Sequence, residues 1–213
     1  MKTFINKFKN LNRNKEITYF IKNNKLLIFL SIILILGMIF GAIGIKFIKL
    51  DTIKKLDFLF ATDFSERNNQ PKVYTFIASF SSSYIFTLLI LIMSLSFFGS
   101  ITIPIIIFFR GVGLGITSGY LYLIYGLKGI AYHILILLPG IFISSIAILL
   151  ISSHAIKFSI KFASKITPKP TEDRLWSKLT EYFKKCSYLS IILIFSSVID
   201  MIEMILFSKF FNF

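Results

Sequence analysis

Three ionisable residues, Arg110, Asp200 and Glu203, lie inside long runs that are otherwise free of charge. A charged side chain at the centre of a membrane helix costs roughly 2.5–3.5 kcal/mol on insertion scales, so each needs a compensating role. They could line an ion or proton pathway, or form a neutralised internal pair that fixes how two helices pack. A pathway calls for polar residues along several spans, which these runs lack, so the pair is the preferred reading. Asp200 and Glu203 are three apart and share a helix face. A planar guanidinium suits a carboxylate better than an ammonium would.

Other reactive side chains are scattered. His133 and His154 lie near no cysteine, and the single cysteine, Cys186, cannot close an intramolecular disulfide. No metal site and no cofactor are expected from such a set. Enzyme motifs are missing too: there is no histidine pair around a glutamate, no nucleophile elbow and no phosphate loop followed by lysine. The run Gly111-Val112-Gly113-Leu114-Gly115 has a faint likeness to a dinucleotide loop, but it follows an apolar helix rather than a strand. The expectation is a protein that is not an enzyme.

Small residues recur at helical spacing. Gly37 and Gly41 are four apart in the first apolar run, and Gly111, Gly115 and Gly119 share one face just beyond Arg110. Such faces let membrane helices approach closely, without saying whether the partner is this chain or another.

The elements that must position these residues follow from the bilayer. Of 213 residues, 55% are hydrophobic and 16% charged, and the mean hydropathy is +0.78. Spanning the hydrocarbon takes roughly 20 apolar residues in a helix, and several runs meet that length. The runs are continuous rather than alternating, which excludes barrel strands. The expected fold is all-α, a polytopic helical integral membrane protein with five spans at about 26–45, 74–98, 101–125, 130–153 and 188–207. Residues 26–213 then make one membrane domain, preceded by a basic segment, 1–25, that reads equally as an interfacial helix or as a disordered tail.

Particular residues set the boundaries. Gly99, Ser100 and Pro104 are the best breakers between the second and third spans, although a helix from Tyr84 to Phe109 would instead leave Arg110 at the interface. Gly126, Lys128 and Gly129 make the next turn, and Pro139-Gly140 predicts a kink in the fourth span. Lys157, Lys161 and Lys165 put a lysine stripe on its continuation, which Pro168 and Pro170 stop. Ile53, Leu56, Phe60 and Phe64 suggest a short surface helix in the first loop. Thr171 would cap an interfacial helix carrying Leu175, Leu179, Tyr182 and Phe183, which leads into the fifth span. The polar stretch ahead of the first run and the length of that run predict a retained anchor rather than a signal peptide.

The formal charge is +14, but the basic residues fall between apolar runs rather than on a folded face. That pattern excludes nucleic acid and points to membrane lipids as the partner of the basic loops. Seven basic residues precede the first span and eight lie between His154 and Cys186, against eight on the opposite side. The bias places the N-terminus inside and the C-terminus outside.

The segment Ile103-Pro104-Ile105-Ile106-Ile107-Phe108-Phe109-Arg110-Gly111-Val112-Gly113-Leu114-Gly115 resembles the stage II sporulation protein M family in its proline, apolar run, single basic residue and glycine repeat. Gly126-Leu127-Lys128-Gly129, Pro139 and Glu203 also fit, and the likeness covers nearly the whole chain. The resemblance implies a non-enzymatic scaffold of engulfment, in the bacterial cell membrane at the sporulation septum and engulfing membrane. Its implied partners are the cell-wall hydrolases stage II sporulation proteins P and D. The competing class is a small membrane transporter or channel subunit with its charged site at Arg110, Asp200 and Glu203. The lack of an evident inverted repeat weighs against an independent carrier.

Overall fold

The computed structural model describes residues 24–47, 72–163, 172–207 and 210, and these are almost wholly helical. The basic segment before Asn24, the first loop with its surface-helix residues, and the Lys165 to Thr171 stretch lie outside the described residues. Five helices are long and apolar enough to cross a membrane. The elements are α1 (Lys25–Gly44), α2 (Lys72–Ser94), α3 (Gly99–Tyr132, broken at Gly126), α4 (Leu138–Ala163) and α5 (Glu172–Phe207), the third span ending at Leu123 and the fourth running Tyr125–Phe162. A single 3-10 turn, Ile45–Phe47, closes α1.

Lipid and protein interior are equally apolar, so these helices are hydrophobic all round and only small or polar residues betray the inner face. On α1 the buried stripe is Leu30, Leu34, Gly37 and Gly41, while Phe29, Ile32, Leu36 and Phe40 face outward. Serines on α4 do the same: Ser144, Ser145, Ser152 and Ser153 are buried. Ser152 donates to the Ile148 carbonyl at 2.7 Å, and Ser118 and Ser197 bond back to Leu114 and Leu193 in the same manner. A hydroxyl satisfied by its own helix can enter the core without a partner elsewhere.

The α2–α3 turn occupies residues 95–98, just upstream of the Gly99-Ser100 pair, and Gly99 itself begins α3. Nothing larger than glycine fits there, since a Cβ would meet the Met93 carbonyl and the Ser159 side chain. Ser159 of α4 also donates to the Ser96 carbonyl at 2.9 Å, which pins the turn to the bundle. Helix α3 runs unbroken through Arg110, so the alternative helix ending at Phe109 does not occur.

At the far end, Gly126 adopts φ 54° and ψ −130°, a conformation that glycine alone takes readily, and the chain reverses. Gly129 then lies against the Leu121 carbonyl, too close for a side chain. Immediately before α4 and Pro139 the helix widens into one π turn, His133–Leu137. Proline withdraws a backbone donor, and widening the preceding turn accommodates the freed carbonyl.

Helix α5 departs from expectation. The interfacial helix and the fifth span are one helix of 36 residues, about 54 Å long against a hydrocarbon core of about 30 Å. No proline or glycine interrupts it, so nothing in the backbone forces a break at the membrane surface. An exposed Lys185–Glu181 pair at 2.6 Å follows its helical register outside the apolar part.

Helix α1 packs chiefly on α3, whereas α5 packs on α2 and α4. One apolar cluster joins Leu30, Ile90, Ile103, Ile107, Ile151 and Leu193, and a second joins Ile116, Leu121, Tyr132, Ile136 and Met204. Along α3 the two clusters are separated by the turn that carries Arg110.

Candidate functional site

Arg110 is buried between the two clusters, with 6% of its surface exposed. Its neighbours are on α2. Nη1 donates to Ser82 Oγ at 3.2 Å and Nη2 donates to Ser83 Oγ at 3.1 Å. The guanidinium carbon stands 5.2 Å from the centroid of the Phe86 ring, one turn along the same helix. A hydrogen-bonded fork over an aromatic face is a favourable way to hold a cation away from water. Depth makes the meeting possible: Arg110 is eleven residues from the start of α3 and Ser83 eleven from the end of α2, roughly 17 Å each from the shared turn.

Asp200 is the acid whose charge acts on Arg110. It approaches from α5 by way of α4. Ser196, one turn before it, donates to the Gly140 carbonyl at 2.7 Å. The Asp200 carboxylate fills the space where a Cβ on Gly140 would stand. Glu203 follows one turn later, within the field of Asp200, and its Oε2 is buried with no hydrogen-bond partner among the described residues. Tyr132 closes this edge by donating to Met204 Sδ at 3.5 Å.

The side-chain hydrogen bonds and ring contact of Arg110 are thus with α2, and Asp200 and Glu203 stand on α5 beside α4. Helices α3 and α5 are not principal neighbours, because α2 and α4 are what α5 packs on. Sequence reasoning missed Ser82, Ser83 and Phe86. The signal was present as the run Ser81-Ser82-Ser83 within an apolar span, on the helix that a hairpin at residues 95–98 must bring against α3.

The glycines occupy the other side of α3. Gly37 faces the Phe108 carbonyl, Val112 N and Gly111 Cα, and Gly41 faces Val112 and Ile116 backbone. In return Gly111 faces Leu34 and Gly37, Gly115 faces Met38 and Ala42, and Gly119 faces Ala42 and Ile45. The partner of each glycine face is thus the other one, within this chain. Missing side chains let the backbones touch, where Cα–H groups and carbonyls add weak contacts.

His133 has partners that its isolation in sequence concealed. Its Nε2 is 2.9 Å from Ser118 Oγ and its Nδ1 is 2.9 Å from Tyr122 Oη, with the Tyr122 ring edge-on to the imidazole. Both partners are on α3, so the histidine clamps the hairpin at Gly126. A comparable clamp holds the opposite end: Tyr182 donates to Ser94 Oγ at 2.9 Å and stacks on Phe158 at 4.5 Å. Cys186, one turn beyond Tyr182, is buried beside it. Among the described residues no group of three or more His, Cys, Asp or Glu side chains converges as a metal site would require.

The model of the family described as stage II sporulation protein M matches residues 26–203. The chain belongs to the stage II sporulation protein M family. No curated protein and no solved structure matches the chain. The matched range runs from the second residue of α1 to Glu203, and so takes in Arg110, Asp200, Glu203 and every member of the glycine contact. This member of the stage II sporulation protein M family is a multi-pass membrane protein in which polar side chains link α2 to α3 and α4 to α5.

Proposed function

We propose that the protein is a non-enzymatic membrane scaffold that localises peptidoglycan hydrolases, of the stage II sporulation protein P and D kind, during engulfment. The observation that carries this reading is the family match over residues 26–203. The way the charges are held agrees with it. Arg110 is occupied by interhelix hydrogen bonds, and none of Arg110, Asp200 and Glu203 lines the apolar cavity between α1, α3 and α4. A carrier would instead expose such groups to a polar cavity. In this reading the basic bias sets the N-terminus inside the cell and the C-terminus outside, at the septal and engulfing membrane.

With that orientation the largest segment on the outer face is the loop between α1 and α2. Replacing Asp57 to Asn69 with a flexible linker of equal length is expected to abolish septal recruitment of the hydrolases while membrane insertion persists. Fluorescent fusions of the hydrolases in sporulating cells, with membrane fractionation of the variant, provide the measurement. Normal recruitment by the linker variant would remove the loop as the docking element and move partner contact into the bilayer or to the inner face.

A further inference from the structure

Most hydroxyl side chains of the spans are turned inward. On α4, Ser144, Ser145, Ser152 and Ser153 are buried, and on α5 so are Ser196 and Ser197. Helix α2 breaks the pattern. Its Thr75, Ser83, Thr87 and Ser94 form a buried stripe, but Ser81 is exposed on the face opposite that stripe, and Tyr84, one turn on, is 38% exposed. Neither hydroxyl has a hydrogen-bond partner among the described residues, whereas Ser118, Ser152 and Ser197 each bond back to their own helix.

Both groups lie near the middle of the bilayer. Ser81 and Tyr84 stand fourteen and eleven residues before Leu95, where the α2–α3 turn begins, which is roughly 16–21 Å along a helix. The bilayer centre is about 15 Å from the hydrocarbon edge and about 20 Å from the outer limit of the headgroups. Lipid offers a hydroxyl no partner at that depth, and a bond from another helix recovers the cost. The helix that carries them is the least enclosed of the five spans. Tyr74, Ile77, Ser81, Tyr84 and Leu88 are all exposed and follow one another at alternating steps of three and four residues. That is the spacing of a left-handed helix pair crossing at about 20°. Phe80 stacks on the Tyr84 ring at 5.2 Å, 18° from parallel, and so fixes where the phenol stands.

Self-complementarity decides the occupant. A hydroxyl both donates and accepts, so identical residues satisfy one another. Two copies inserted in the same direction hold Ser81 and Tyr84 at equal depth, and a parallel twofold pair sets each seam residue against its equal. Helix α2 carries no charge beyond Lys72 at its start that would repel a copy. We propose that this face of α2 is a homodimer interface, in which Ser81 and Tyr84 of one copy hydrogen-bond to the same residues of the other. The assignment is independent of the scaffold reading, since it concerns only two copies of the membrane domain.

The test uses the full chain in a Cys186→Ser background, purified and reconstituted in vesicles of phosphatidylcholine and phosphatidylglycerol, where a second copy is the only protein available. Ser81→Cys should give a disulfide-linked dimer when oxidised with copper phenanthroline. Ile194→Cys supplies the control. Tyr182 bonds to Ser94, so Ile194, twelve residues beyond Tyr182, stands at the depth of Ser81, thirteen before Ser94, but on the exposed side of α5. It should not cross-link. Fluorescence transfer between labelled copies, followed as the chain is diluted with lipid, gives the dimerisation constant. Ser81→Leu with Tyr84→Phe should weaken it about tenfold, each lost interhelix bond being worth about a factor of three. Circular dichroism checks that the double variant folds; if it does not, the cross-linking pair decides. Absence of the Ser81→Cys dimer, equal cross-linking of Ile194→Cys, a monomer at every dilution, or an unchanged constant in the folded double variant overturns the proposal. So does cross-linking of Ser81→Cys in cell membranes to a different protein in place of a second copy.

Discussion

Gly115→Ala tests the contact between α1 and α3 with a single methyl group. The added Cβ would overlap the Met38 carbonyl oxygen and stand 2.8 Å from Met38 C and 2.9 Å from Ala42 N. All three are backbone atoms, so no rotamer change can clear them. Restoring ordinary separations moves α1 outward by about 1 Å, and a gap of that size forfeits a quarter to a half of the attraction of each contact it opens. Gly37, Gly41 and Gly111 lie in the same seam and lose contact with it. Overpacking costs about 1–3 kcal/mol, while replacing glycine by alanine inside a helix returns at most about 1 kcal/mol. The net expectation is a destabilisation of about 1–2 kcal/mol.

Gly44 supplies the control, because a Cβ there meets nothing within 4 Å. Gly44→Ala should be neutral or slightly stabilising for the same propensity reason. Gly37→Ala combined with Gly115→Ala should cost less than the sum of the two, since the displacement that admits one methyl makes room for the other. Reversible unfolding in mixed micelles, followed by helicity, reads all four variants. Equal shifts for Gly44→Ala and Gly115→Ala would refute the close approach of the two backbones.

Arg110→Leu alone, and Asp200→Leu with Glu203→Leu, are each expected to lower accumulation in membranes more than the triple variant does, because breaking one side leaves a buried charge uncompensated; additive losses on immunoblots would argue against coupling between Arg110 and the two acids. Ser82→Ala with Ser83→Ala removes two hydrogen bonds from a charged group, worth about 1.5–3 kcal/mol each before compensation, and should destabilise the wild-type chain but not the Arg110→Leu chain in the same unfolding titration. Gly140→Ala pushes on the Asp200 carboxylate and should be costly alone, yet near neutral when Asp200 is alanine; an unchanged cost in that background would place the strain elsewhere. Cys186 is too buried to report topology, so the probe is Lys185→Cys in a Cys186→Ser chain, at a side chain 54% exposed. An impermeant maleimide should label it only after permeabilisation, and labelling of intact cells would reverse the assigned orientation.

Much of the architecture was legible because the bilayer imposes a length. Runs such as Leu26 to Ile45 had to be spans, and Gly126 marked a turn between two of them, since backbone groups in lipid leave few alternatives to a helix of about 20 residues. Glycine spacing likewise announced two close-packing faces. That Gly37 and Gly41 meet Gly111, Gly115 and Gly119, rather than another molecule, was decided by tertiary structure. So was the placing of Arg110 on Ser82, Ser83 and Phe86, the burial of Cys186, and the pair of hydroxyls around His133. The reason is physical. Hydropathy is a local property set by the surrounding hydrocarbon, whereas the choice of neighbour depends on rotation and depth of whole helices, which lipid-like side chains leave almost degenerate until small and polar residues on different helices come into register.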